Sequence, residues 1–131
     1  MQYINLAGIW INEFGSIMEI TRVDDQTGIF SGTYKSHTGA IGEYNVAGIT
    51  DIAPDPAVNS QTVSIAVSWR NIDPAGDQDG GNWCSGIAGQ VQRVDGQERM
   101  TATYLLQQNT NPDENWGATI VDKMTFIRQK R

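Results

Sequence analysis

Cysteine is almost absent from this chain. Cys84 stands alone among 131 residues, so no disulfide can close within the chain and no cysteine-rich zinc site can form. Its default reading is a small apolar residue, with a disulfide between two copies as the lesser alternative. Histidine is equally scarce: His37 is the single one, in a polar stretch where a solvated ring is expected. Basic residues are few, nine Lys plus Arg against 15 Asp plus Glu for a net charge of −6. That balance disfavours nucleic acid or an anionic membrane surface as a partner. No apolar run approaches the ~20 residues that span a bilayer. The opening "MQYINLAG" lacks a basic region leading into an apolar stretch and does not read as a signal peptide, though one could have preceded it.

What remains is enough for one domain, 1–131, around one core; 39% of the residues are hydrophobic, which argues against disorder. The chain reads as strands and turns with no convincing helix. Candidate strands are Gly8–Phe14, Ser16–Val23, Ile29–Lys35, Tyr44–Asp51, Thr62–Arg70, Cys84–Arg93, Arg99–Gln107 and Thr119–Arg128, most of them rich in β-branched or aromatic residues. Turn chemistry separates them, as in "DDQTG" (24–28) and "VDGQ" (94–97). The longest connection, "NIDPAGDQDGGN" (71–82), holds three Gly, three Asp and a Pro, and is expected to be a mobile surface loop. Alternation is clearest in "TVSIAVSWR", where Val63, Ile65, Val67 and Trp69 share one face and Ser64, Ala66, Ser68 and Arg70 the other. Eight short strands with hairpin-length turns fit an all-β up-and-down barrel or a sandwich, and the lack of long crossovers favours sequential neighbours.

Polar residues interrupt the predicted inner face. In "GIWINEFGS", Trp10 and Asn12 share a side, and Ser16 opens the next strand on the face of Met18 and Ile20. "FSGTYKS" puts Phe30, Tyr34 and Ser36 together, and Trp69 and Tyr104 point the same way from later strands. Buried polar groups without partners cost about 1–3 kcal/mol each. Asn12, Ser16, Tyr34 and Ser36 therefore need either one another, as a polar plug with ordered water, or a ligand. The second reading is a pocket with aromatic walls and a polar floor for one small molecule. An enzyme ranks last, because one His, one Cys and no paired inward carboxylates leave no nucleophile–base pair.

The stretches "GIWINEFGS", "SGTYKS", "VSWRN", "TYLL" and "NWGATIVDKMTF" resemble, in order and spacing, the avidin and streptavidin family of biotin-binding barrels, over about Gly8 to Arg128. The resemblance implies an eight-stranded antiparallel up-and-down β-barrel that binds biotin without catalysis and without a cofactor. It implies that Asn12, Ser16 and Tyr34 converge on the ureido oxygen, where donors in a dry site strengthen one another. Ser36 would accept from one ureido N–H, Trp69 would pack on the ligand's apolar body, and Thr38, Gly39 and Ala40 would lie near its carboxylate tail. Tyr104 stands where the family usually has Trp. Trp116 resembles the Trp that family members lend to a neighbouring subunit's pocket; the alternative is a loop aromatic folded onto its own barrel. A homo-oligomer, tetramer or dimer, and a secreted or periplasmic location follow by the same analogy.

The chain also departs from the family pattern. Met124, eight residues after Trp116, occupies the place of the Asp that accepts the second ureido N–H. Asp122 lies on the same face but about 7 Å away along the strand. Around "GGNWCSG" the register is ambiguous: either Asn82 and Cys84 face the pocket, or a bulge turns Trp83 inward. The favoured expectation is Trp83 as a wall residue with Asn82 near the ligand's sulfur side. A barrel that has drifted to another small polar ligand, such as a sugar or another cyclic urea, is the competing function.

Overall fold

A computed structural model describes residues 1–36, 41–76 and 81–130. They form eight strands: β1 (Gly8–Asn12), β2 (Ile17–Val23), β3 (Ile29–Ser36), β4 (Gly42–Thr50), β5 (Gln61–Ser68), β6 (Cys84–Val94), β7 (Gln97–Gln107) and β8 (Thr119–Arg128). Each strand pairs antiparallel with the next, and β8 returns to β1, so the sheet closes as an up-and-down barrel. Closure removes the sheet edges that would otherwise seek a partner strand. Among the described residues no helix is long and apolar enough to cross a membrane.

The alternation read from the sequence sets which side chains enter the barrel. Along β5, Gln61, Val63, Ile65 and Val67 are buried while Thr62, Ser64, Ala66 and Ser68 are exposed. The inner residues form one apolar core in the base half of the barrel, built around Trp10, Met18, Ile20, Phe30, Ile65, Val91, Met100 and Phe126. Phe30 and Gly48 show how large and small residues share that space, since a Cβ on Gly48 would run into the Phe30 ring. The N-terminal segment plugs the base with Ile4 and Leu6. Gln61, fully buried, holds that plug: its Oε1 accepts from Ile4 N–H at 2.8 Å, and its Nε2 donates to Ile4 O and to Thr50 Oγ1, both at 2.9 Å. Arg128 ties the same segment down, donating to Asn5 O at 2.7 Å and to Ala7 O, pairing with Glu98 at 3.2 Å and lying over the Trp10 ring at 5.2 Å.

Local chemistry moves several strand ends from their expected places. The first strand stops at Asn12 rather than Phe14, because residues 12–16 close a tight turn in which Gly15 takes a φ of 80°. The sixth and seventh strands extend to a two-residue turn at Asp95 and Gly96, both with positive φ, as a type I′ hairpin requires. Thr21 is an extra residue in β2, a bulge between the Ile20–Gly32 and Arg22–Ser31 pairs. The chain is not wholly without helix: Pro112–Gly117, before β8, forms a short 3-10 turn with Pro at its start. The loop expected to be mobile is anchored where it begins. Asn71 Oδ1 accepts from Glu43 N–H at 3.1 Å, and Ile72 N–H donates to Glu43 O at 2.8 Å.

Candidate ligand-binding site

The last residues of β1, β3, β5 and β7 and the first of β2, β4, β6 and β8 lie at the end opposite the plug. At that mouth the inner face turns polar. Asn12, Ser16, Tyr34 and Ser36 are all buried, on three consecutive strands or their ends. The hairpin explains why Asn12 follows Trp10. Its Oδ1 accepts from the backbone N–H of Phe14 at 3.0 Å and of Ser16 at 2.9 Å, and so clamps the turn. Its Nδ2 donates to Tyr34 Oη at 3.1 Å. Asn12 is therefore a hairpin clamp as well as a partner of Tyr34, where the sequence left a polar plug and a ligand floor both open. Ser16 lies beside the Tyr34 phenol. Burial pushes that phenol's pKa up, the polar Ser16 and Asn12 side chains pull the other way, and Tyr104 and Glu13 add smaller upward effects. The phenol stays neutral and keeps its O–H donor at ordinary pH.

The wall beside this floor is aromatic. Trp69 is half-buried just beyond β5, with its ring centroid 5.4 Å from Tyr34 and 4.9 Å from Tyr44, both edge-on. Tyr34 also meets Phe126 edge-on at 6.4 Å, which joins the floor to the core. Trp69 Nε1 donates to Ser85 Oγ at 2.8 Å. Tyr44 and Ser85 were not among the site residues expected from sequence. Tyr44 heads the inward alternation Tyr44, Val46 in "YNVAGIT", a visible signal; Ser85 was hidden by the register uncertainty around Cys84.

Pairing resolves that register. Ser68 opposes Cys84 and Val67 opposes Ser85. Trp69 N–H donates to Trp83 O at 3.0 Å, which carries the ladder one residue further and puts Trp83 on the inward alternation of Ser85 and Ile87 without a bulge. Trp83 is half-buried. Asn82 departs from its expected place: it is exposed, and its Oδ1 accepts from Arg70 Nη2 at 2.7 Å. Cys84 is free and exposed, on the outer face.

On the closing strands, Tyr104 opposes Asp122 and Ala102 opposes Met124. Met124 is half-buried and packs on the core, one step deeper than Asp122, which is exposed at the rim. Burial raises the Tyr104 pKa, and the Asp122 and Glu13 carboxylates raise it further. Glu13 is fixed at this rim by accepting from Thr125 N–H at 2.9 Å. Trp116, 93% exposed, is not folded onto its own barrel, so that alternative is set aside. Thr38, Gly39 and Ala40, expected near a ligand's tail, lie outside the described residues.

The structure thus brings Asn12, Ser16, Tyr34, Ser36, Trp69 and Tyr104 to one end of the barrel, with Met124 below the rim. Donors beside aromatic rings at the mouth of a barrel can hold a small molecule with a carbonyl-like acceptor. Among the described residues no group of three or more His, Cys, Asp and Glu side chains is placed to hold a metal ion. In comparison with known families, the model described as the Avidin family matches residues 1–129, essentially the whole chain. No curated protein matches it significantly.

Proposed function

The chain belongs to the avidin family, and from that premise we propose that it is a non-catalytic binder of biotin. The observation that carries this reading is the Tyr34 phenol, buried at the mouth beside Asn12, whose Nδ2 donates to its Oη at 3.1 Å. With Trp69 and Tyr104 as walls, the ureido oxygen would sit against Asn12, Ser16 and Tyr34, and Ser36 would accept from a ureido N–H. A homo-oligomer forms part of the proposal. Trp116 is exposed beyond what a loop aromatic needs, and the middle of the outer β5–β7 face carries Ser64, Ala66, Gly86, Ala88, Thr101 and Thr103 with no charge among them. A secreted or periplasmic location is proposed by analogy with the family alone.

A second reading, a different small polar ligand, is favoured by one feature. The acceptor expected at position 124 is a thioether, and the nearby carboxylate, Asp122, sits at the rim opposite Tyr104. Calorimetric titration and thermal unfolding with biotin separate the two. A ligand that binds only the native state adds RT ln(1 + [L]/Kd), about 2.7 kcal/mol at a hundredfold excess over Kd, so saturating biotin should raise the melting temperature by several degrees. No shift at millimolar biotin would remove the biotin reading and promote the other ligand.

A further inference from the structure

Two tryptophans of the barrel show what an indole needs. Trp10, fully buried in the core, donates its Nε1–H to Leu6 O at 3.0 Å. Trp69 stands at the mouth, half-buried, with its ring edge-on to Tyr34 and Tyr44. Its backbone is fixed by the bond to Trp83 O, but a backbone bond leaves the ring free to turn about χ2, which is broad and roughly two-fold for Trp. The edge-on contacts with Tyr34 and Tyr44 restrict the ring without naming which edge carries the nitrogen. The bond that does so is Nε1 to Ser85 Oγ, 2.8 Å, made to a serine only 5% exposed. Each partner needs the other: a buried hydroxyl seeks a hydrogen bond, and an indole N–H without an acceptor turns toward water.

We propose that Ser85 is a positioning residue that sets the orientation of Trp69 before any ligand arrives; the consequence for affinity rests on the reading of Trp69 as a pocket wall. Ser85 acts through the indole. Replacing it with Ala removes the acceptor, lets the ring sample flipped and outward states, and makes the ligand restore the wall at its own expense.

The test has a ligand-free half and a ligand half. In 15N-labelled protein the four indole N–H signals, from Trp10, Trp69, Trp83 and Trp116, are separable, and Trp69→Phe identifies the one of interest. Ser85→Ala should shift that signal and speed its exchange with solvent, leaving Trp10 untouched, while Ser85→Thr, which keeps the hydroxyl, should return it. By calorimetry Ser85→Ala should weaken biotin about tenfold, the loss of one neutral hydrogen bond, and Ser85→Thr should recover it. In a Trp69→Phe background, where no indole N–H exists, Ser85→Ala should cost little. An unchanged Trp69 signal in Ser85→Ala overturns the inference. So does an equal affinity loss in both backgrounds, which would mean that Ser85 acts on the ligand or the fold directly. If the unmodified protein does not bind biotin, the proposed function falls, yet the indole signal still decides whether Ser85 holds Trp69.

Discussion

Asn12 offers a way to separate fold from function at a single residue. Its Oδ1 holds the β1–β2 turn through two backbone N–H groups, and its Nδ2 supports the Tyr34 phenol. Asn12→Ala removes both. The three neutral hydrogen bonds together contribute about 1.5–4.5 kcal/mol, and for a chain of this length each kcal/mol moves the melting temperature by about 4 °C. The ligand-free variant should therefore melt about 6–18 °C lower. It should also bind biotin more weakly by about 1–3 kcal/mol, since a floor donor is gone. Asn12→Asp splits the two roles. A carboxylate oxygen still accepts from Phe14 and Ser16, so the turn and most of the melting temperature survive. The second oxygen cannot donate to Tyr34; it accepts from the phenol and takes the hydrogen meant for the ligand. Affinity should fall roughly ten- to a hundredfold. Differential scanning calorimetry of the unliganded variants and titration with biotin read the two effects apart. If Asn12→Asp binds biotin as tightly as the unmodified protein, the floor-donor reasoning is wrong and Asn12 is a clamp only.

Three further outcomes follow from the same geometry. Trp116→Ala should leave the stability of the isolated barrel within about 0.5 kcal/mol, as expected for so exposed a side chain, yet weaken both association and biotin binding; light scattering that finds a tightly binding monomer would refute the shared pocket. Met124→Asp should strengthen biotin binding by about 1.5–3 kcal/mol, mostly as slower dissociation, by supplying a charged acceptor, and should lower ligand-free stability because the carboxylate joins a half-buried position packed on the apolar core; unchanged affinity would mean that Asp122 or a water already serves. Burial raises the pKa of Tyr34 above its unfolded value near 10. The stability due to its neutral form is then fully present below about pH 10 and is lost as pH rises through the folded pKa, so biotin affinity should be flat from about pH 7 to 9 and decline only beyond the ordinary phenol range, with the ionisation visible in the ultraviolet.

The barrel was legible because its strands alternate cleanly. In β5 the inward Val63, Ile65 and Val67 and the outward Ser64, Ala66 and Ser68 admit one assignment, and turns as short as Asp95–Gly96 force sequential pairing. Residues near such anchored strands were placed with them: Asn12 and Ser16 flank a tight turn, and Tyr34 and Ser36 continue the Phe30 face. What the sequence left open lay beyond the long 71–82 connection, where no periodicity carries over. A one-residue slip there sends every side chain to the other face. Only the partner strand settles it, through Ser68 opposite Cys84 and the bond from Trp69 to Trp83, and the outcome exchanges Asn82 for Ser85 as the inward polar group. The dual role of Asn12 was hidden for another reason. A side chain bonded to backbone two and four residues on leaves no pattern of hydrophobicity.

The final strand shows how far alternation alone can reach toward chemistry. Phe126 is fully buried and opposes Asn12, which fixes Met124 and Asp122 to the same inward series at successive heights. A thioether therefore stands at the deeper of these positions, while a carboxylate stands one step nearer the rim, opposite a tyrosine and close enough, with Glu13, to raise its pKa. On the proposed reading, the site donates from its floor, through Asn12, Ser16 and Tyr34, and its carboxylate acceptor stands at its mouth. A ligand that presents an acceptor at one end and a donor near the opening suits it better than one that needs both at the bottom. Comparing biotin with analogues that carry an added N–H or O–H along the tail would show it. If the analogues gain nothing over biotin, and Asp122→Asn changes neither, Asp122 is a solvated rim residue and the floor alone governs affinity.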